Sequence, residues 1–388
     1  MSRIAIIAGE ASGDLNGSLL ARHLREMQPG VELWGAGGKR MREAGVDLIW
    51  ESGSTGAVGI MESLKLVPGL LIEFARVKAE LLRRRPDALT LIDFGAFNKR
   101  VAAFARRQGI KTIYYLPPGA WRRRPRKTSQ AGLADKLITP FEWSYEALRD
   151  AGADVTLIGH PLLDVVKPSL TEEQFRAQVG MPPDAPIVGL LPGSRKQEIR
   201  HNLPAMLAAA VLMTERLPAA CFVIAAAGRS QAETIERVRA GASRRSGLPD
   251  IGVVESLTYD VLAHSRVAIT ASGTATLEAA ILNTPMVIIY RGGLLSHIEY
   301  LIRGKAVLED HIGLPNIIAG KRICPELLSK QASPEKIASL ATELLSDPSK
   351  SAKMRKDLSA VRSALGAEGG ARIAAKVALE AASPGTTS

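Results

Sequence analysis

Two stretches of this 388-residue chain combine small residues with charge where an apolar run breaks. One is Gly189-Leu190-Leu191-Pro192-Gly193-Ser194-Arg195, and the other is Thr270-Ala271-Ser272-Gly273-Thr274-Ala275-Thr276-Leu277-Glu278. Each follows a run of strand type, residues 187–191 and 267–270, and a helical pattern begins after each break. In a parallel α/β sheet such breaks fall at the carboxyl ends of strands, where the first amides of the next helix can hold a phosphate or diphosphate. Arg195 adds a planar fork of five donors beside the first break. Glu278 lies a turn into the helix after the second. A Gly-Ser pair behind a strand is by itself an ordinary turn. Two such breaks in one domain, with these charges, point to a site for a nucleotide diphosphate.

A second group of residues could handle a proton. The strand-like run 4–8 ends on Gly9-Glu10-Ala11-Ser12-Gly13-Asp14, whose spacing is not the dinucleotide fingerprint and whose carboxylates would repel a diphosphate. That loop either lines the acceptor side of a cleft or is a structural turn. The run 88–92 ends on Asp93-Phe94-Gly95-Ala96-Phe97-Asn98, which puts Asp93 and Asn98 at the same kind of edge. His160, before Pro161, reads as a hinge residue bonded to backbone.

These residues need a scaffold, and the chain is long enough for two domains. Apolar runs and helical patterns alternate throughout, the mark of doubly wound parallel sheets. The expected fold is α/β: two Rossmann-like domains with an interdomain cleft and a helical C-terminal tail. We place the acceptor-side domain at 1–165, the nucleotide-binding domain at 166–345 and the tail at 346–388. Residues 58–71 are unusually apolar for a segment between strands, and Arg76, Lys78 and Arg83 to Arg85 follow. They read either as a pair of core helices broken at Pro68 or as an amphipathic surface that dips into lipid headgroups.

Fifty Lys and Arg against 39 Asp and Glu give a net charge of +11, which favours an anionic partner. Aromatic residues are only 4 %, too few for the stacking platforms of single-stranded nucleic acid binding, so nucleic acid is a weak reading. It rests on net charge and on the basic run 122–127. Two cysteines, Cys221 and Cys324, have no ligand spacing, and disulfide and zinc chemistry are not expected. The start of the chain lacks a secretory pattern, and no run reaches the roughly eighteen apolar residues of a spanning helix. The expectation is a cytoplasmic protein that can touch a membrane.

Seven motifs in order resemble one family of two-domain, GT-B type glycosyltransferases, the lipid-A-disaccharide synthases. They are Gly9 to Asp14, Gly59-Ile60-Met61-Glu62, Ile92-Asp93 with Phe97-Asn98, Gly159-His160-Pro161, Leu191 to Arg195 with Glu198, Ser272 to Glu278, and Leu314-Pro315-Asn316 with Ala319-Gly320. The resemblance implies inverting transfer of 2,3-diacylglucosamine from its UDP conjugate to the 6-hydroxyl of 2,3-diacylglucosamine 1-phosphate. It implies that Gly193, Ser194, Arg195, Ser272, Gly273, Thr274 and Glu278 hold UDP, with Asn316 beside the sugar nucleotide. It further implies that the segment matching 58–71 meets acyl chains and an acidic lipid surface at the inner face of the cytoplasmic membrane. No metal or cofactor is implied, and some members are homodimers that exchange the C-terminal region.

The family pattern after Ile92-Asp93 is small-Pro-Asp-Phe-Asn, and its last aspartate is the favoured general base. Here that position is Ala96. The tryptophan-bearing, serine-rich loop expected after Tyr115 is Pro117-Pro118-Gly119-Ala120-Trp121 followed by arginines. Both departures lie on the acceptor side. They suggest a relocated base, a changed acceptor or lost activity. Inverting transfer needs a group to take the hydroxyl proton and donors for the departing diphosphate. Glu10 and Asp14 stand first as replacement bases, then Asp93, with Glu62 and His160 behind. A sugar-nucleotide 2-epimerase shares the architecture and is the rival enzyme. A UDP-sugar-binding protein without transfer is the rival of another class.

Overall fold

A strand buried on both faces must be apolar at every position, and the runs read above become such strands. The computed structural model describes residues 2–51, 60–122, 131–242, 247–291 and 311–383, with backbone alone over 60–67. The motif residue Gly59, the Glu62 side chain, the basic residues 123–127 and the final residues 384–388 lie outside the described residues. The chain forms two compact units, Met1–Asp164 with Leu365–Ser388, and Val165–Ala364.

Among the described residues, the first unit holds a seven-stranded sheet: β1 (Arg3–Ala8), β2 (Glu32–Gly37), β3 (Asp47–Glu51), β4 (Ala88–Ile92), β5 (Lys111–Tyr115), β6 (Lys136–Thr139) and β7 (Val155–Leu157). Their order is β3-β2-β1-β4-β5-β6-β7, all parallel. Side chains alternate along β1. Ile4, Ile6 and Ala8 pack with Leu20 and Leu24 of helix Ala11–Met27 and with Ala374, Ala375 and Ala378 of helix Gly370–Ala382. Ala5 and Ile7 face Val77 and Leu81 of helix Ile60–Arg84, and Val101 and Ala105 of helix Gly95–Arg107. Each fully buried leucine or isoleucine contributes about 1.5 to 3 kcal/mol.

The helices of the C-terminal tail divide: Pro348–Ala364 belongs to the second unit, whereas Gly370–Ala382 covers one face of the first sheet. Asp164 anchors the returning helix, its Oδ1 accepting the Gly369 amide at 2.6 Å.

The helix pair expected to break at Pro68 is one helix, Ile60–Arg84. Pro68 and Gly69 lie on its exposed side, where solvent can take the carbonyl that the ring leaves unbonded. Leu70 and Phe74 pack against the core while Leu71 and Ile72 stay exposed, so the described part is amphipathic.

In the second unit the described strands are β8 (Ile187–Leu191), β9 (Cys221–Ala226), β10 (Ile251–Glu255), β11 (Val267–Ala271), β12 (Met286–Tyr290) and β13 (Glu326–Leu328). They run parallel in the order β10-β9-β8-β11-β12-β13. In both sheets the winding reverses beside the first strand, between β1 and β4 and between β8 and β11. At such a reversal the helices leave in opposite directions and open a crevice at the carboxyl edge, where ligands of this architecture bind.

Candidate functional site

The two turns read as a nucleotide site meet at the reversal of the second sheet. Ile269 pairs with Leu190 and Thr270 with Leu191, so Pro192-Gly193-Ser194 and Ala271-Ser272-Gly273 leave the sheet at one level. Gly273 has φ +152°, a conformation that favours glycine, and a Cβ there would meet no atom of the described residues within 4 Å. Packing by the described residues therefore does not explain the glycine, and they leave the space before it open. The amides of Gly273, Thr274 and Ala275 find no acceptor among the described residues, and helix Thr274–Ile281 follows directly. Those groups have the chemistry of an anion cradle.

The first turn differs from expectation. The Ser194 and Arg195 amides, read as phosphate donors, are both taken by Glu198 Oε2, at 3.0 and 3.2 Å. Glu198 Oε1 also accepts Arg195 Nη1 at 3.2 Å. A glutamate three residues past the cap closes a capping box, and here its carboxylate occupies the place the turn makes for an anion. The sequence held this signal in the spacing of Arg195 and Glu198. Arg195 stays half-exposed beside the turn, and Glu278 is half-buried in the helix after the second one.

Asn316 is a second correction. It is fully buried, and its amide is saturated by protein: Nδ2 donates to Cys324 O and Glu326 Oε1, and Oδ1 accepts the amides of Ile323 and Cys324. No capacity remains for a sugar nucleotide.

In the first unit, β1 and β4 run in register from Ile4 beside Ala88 to Ala8 beside Ile92, so Glu10 and Asp93 follow neighbouring strand ends. Gly9 lies under the Phe94 ring, where a Cβ would come within 2.3 Å of Cδ2. Asp93, Phe94 and Gly95 have φ of +44°, +54° and +37°, a left-handed run costly for the two non-glycine residues. Buried groups hold it. Asn98 Nδ2 donates to the carbonyls of Ile7, Ile92 and Asp93, and the Tyr114 hydroxyl donates to Asp93 O at 2.7 Å. Phe94 and Phe97 pack at a tilt against Trp50 and each other beside this turn, and Phe74 meets Phe97 edge-on.

This turn presents the Asp93 carboxyl to solvent from a crowded surface. Desolvation by the surrounding protein, and then the Glu10 carboxylate, raise it to about 6 from an ordinary value near 3.8. That suits a proton acceptor working near neutral pH. Asp14, placed ahead of Asp93 in the sequence reading, is committed elsewhere. Its carboxylate accepts the amides of Gly38, Arg40 and Met41 and holds the start of helix Lys39–Glu43. His160 is half-buried; its backbone amide donates to Leu365 O, and desolvation lowers its imidazole to about 4, so it stays neutral. Ala96 lies exposed in the first turn of helix Gly95–Arg107. Two cavities lined by described residues, near 560 and 510 Å³, are grooves beside Arg106 and beside Lys353, away from both sheet reversals.

A family model described as lipid-A-disaccharide synthetase matches residues 4–381. A protein of Syntrophus aciditrophicus named lipid-A-disaccharide synthase is 37% identical over 377 residues, covering 97% of each chain. One of the same name from Geobacter sulfurreducens is 37% identical over 379 residues, again covering 97% of each. Among solved structures, the glycotransferase of kitacinnamycin superposes with a TM-score of 0.64 at 18% identity, covering 98% of this chain and 99% of that one. A UDP-GlcNAc 2-epimerase from Neisseria meningitidis, solved with UDP-GlcNAc bound, gives 0.61 at 12% identity and covers 98% and 100%. At those identities the two structures speak to the fold alone.

Proposed function

The chain belongs to the lipid-A-disaccharide synthetase family, a family of glycosyltransferases, and from that premise we propose that it transfers 2,3-diacylglucosamine, with inversion, from the UDP conjugate to the 6-hydroxyl of 2,3-diacylglucosamine 1-phosphate. The observation that carries this is the cradle of helix-start amides at the reversal of the second unit's sheet; the raised carboxyl at the first unit's own reversal supports it.

In this reading the acceptor oxygen attacks the anomeric carbon as the bond from that carbon to the diphosphate oxygen breaks. The hydroxyl proton passes to Asp93, and UDP leaves with the bonding pair. Asp93 replaces the carboxylate missing at Ala96, and Glu10 beside it keeps its proton affinity high. The amides of Gly273 and Thr274 and the Arg195 guanidinium take the charge that develops on the leaving group. Arg195 turns from Glu198 to the diphosphate, exchanging one charged partner for another. The protein works as a peripheral enzyme at the inner face of the cytoplasmic membrane. The helix carrying Leu71 and Ile72 meets lipid there, with Arg76, Lys78 and Arg83 toward acidic headgroups.

UDP release is the test. Release from UDP-2,3-diacylglucosamine only when the acylated acceptor is present supports transfer. Tight UDP binding without release would favour a binding protein that has lost its base at Ala96, and UDP-sugar conversion without acceptor would favour the epimerase reading.

A further inference from the structure

Asn316 leaves a question: why does a motif next to the donor turn end in a side chain that cannot reach a ligand? Its partner is Glu326, at the start of β13, whose side chain is 1% exposed. An ionised carboxylate this deep is costly unless several donors hold it. Glu326 Oε1 accepts the Gly313 amide at 2.8 Å, the Ile312 amide at 3.2 Å and Asn316 Nδ2 at 2.7 Å. Oε2 accepts Ile312 again at 3.3 Å and lies 3.8 Å from His311 Nδ1. The turn 311–314 is therefore bound to a buried anion on one side.

Its other side is bound to the donor turn. Ser272 Oγ donates to Ile312 O at 2.8 Å, and the Leu314 amide donates to Thr276 Oγ1 at 3.3 Å. Thr276 Oγ1 in turn donates to Gly273 O at 2.7 Å. A continuous chain of hydrogen bonds runs from Asn316 and Glu326, through Ile312 and Leu314, to Ser272, Gly273 and Thr276. We propose that Glu326, with Asn316, is a positioning residue for the donor site: the buried pair fixes turn 311–314, which fixes the Ser272-Gly273 turn against the diphosphate.

The link rests on the donor-site reading, but the two fail separately. Glu326→Gln keeps the shape and replaces one acceptor oxygen with a donor that opposes the Ile312 amide, which both oxygens accept. Calorimetry with UDP should show about tenfold weaker binding. The donor KM should rise in step while the acceptor KM stays put, a split that general loosening of the protein would not produce. Unchanged UDP affinity in a folded Glu326→Gln chain overturns the link. If that variant does not fold, Thr276→Val takes over, since it removes only the hydroxyl that joins Leu314 to Gly273 and has nearly the same volume. It should weaken UDP several-fold, and native affinity in it overturns the link as well. A natural chain that binds no UDP would sink the donor-site reading instead. Amide exchange then decides the link: the Ser272 and Thr276 amides, bonded to Ile289 O and Gly273 O, should exchange faster in Glu326→Gln, and equal rates overturn it.

Discussion

At the scale of single residues, charge decides most of the account. Arg195 pairs with Glu198, and the reading adds a diphosphate partner when UDP arrives. Removing its charged hydrogen bonds by Arg195→Ala should weaken UDP binding by about 1.5 to 3 kcal/mol, roughly ten- to a hundredfold. Calorimetry on a folded variant with native affinity would remove Arg195 from the site. Asp93 makes a prediction about pH. Its raised value means that the folded chain binds this proton more tightly than the unfolded chain between about pH 3.8 and 6. The contribution to stability is thus present at low pH and lost as pH rises through 6, while the carboxylate needed for proton transfer appears over the same range. Turnover should climb with a midpoint near pH 6, and Asp93→Asn should flatten the pH dependence of stability in that window. A midpoint near 4 in the pH–rate profile would assign the proton to another group.

Among elements, some were plain in the sequence and others could not be. β8 and β11 read directly from their apolar runs, because strands buried on both faces leave no polar position to confuse the pattern. β13 is three residues long, below what periodicity can register. The carboxylate of Asp14 found its partners 24 to 27 residues away, and that of Glu326 found its own across a turn, contacts that folding alone brings together. The pairing of Arg195 and Glu198 was different, since its spacing was visible and only its consequence for the amides was missed. Helix Ile60–Arg84 leaves a question for lipid. Leu71 and Ile72 are 51% and 64% exposed, but Arg76, Arg83 and Arg84 pair with Glu73, Glu80 and Asp47. Exposed pairs of this kind hold weakly and can trade a carboxylate for a lipid phosphate. In flotation, acidic vesicles should carry the protein at low salt and release most of it at high salt. Replacing Leu71 and Ile72 together by serine should reduce the bound fraction at low salt. Protein that stays with the unbound fraction throughout would return the helix to a purely structural role.

For the molecule as a whole, the same sheet order appears twice, and each copy puts its chemistry at its own reversal. The second copy gathers groups that suit a diphosphate; the first gathers Glu10 and Asp93 around a strained, well-braced turn. This division makes sense of the sequence, in which the donor motifs match the family and the acceptor side departs at Ala96. On the proposed function the chain still transfers, with its base moved to Asp93. Steady-state turnover of UDP-2,3-diacylglucosamine with 2,3-diacylglucosamine 1-phosphate tests it most directly, in the natural chain and in Asp93→Asn and Ala96→Asp. The account predicts clear turnover by the natural chain and a loss of about a hundredfold or more in Asp93→Asn, the usual contribution of a general base. A natural chain that binds UDP yet does not turn over, and that gains activity only through Ala96→Asp, would contradict it.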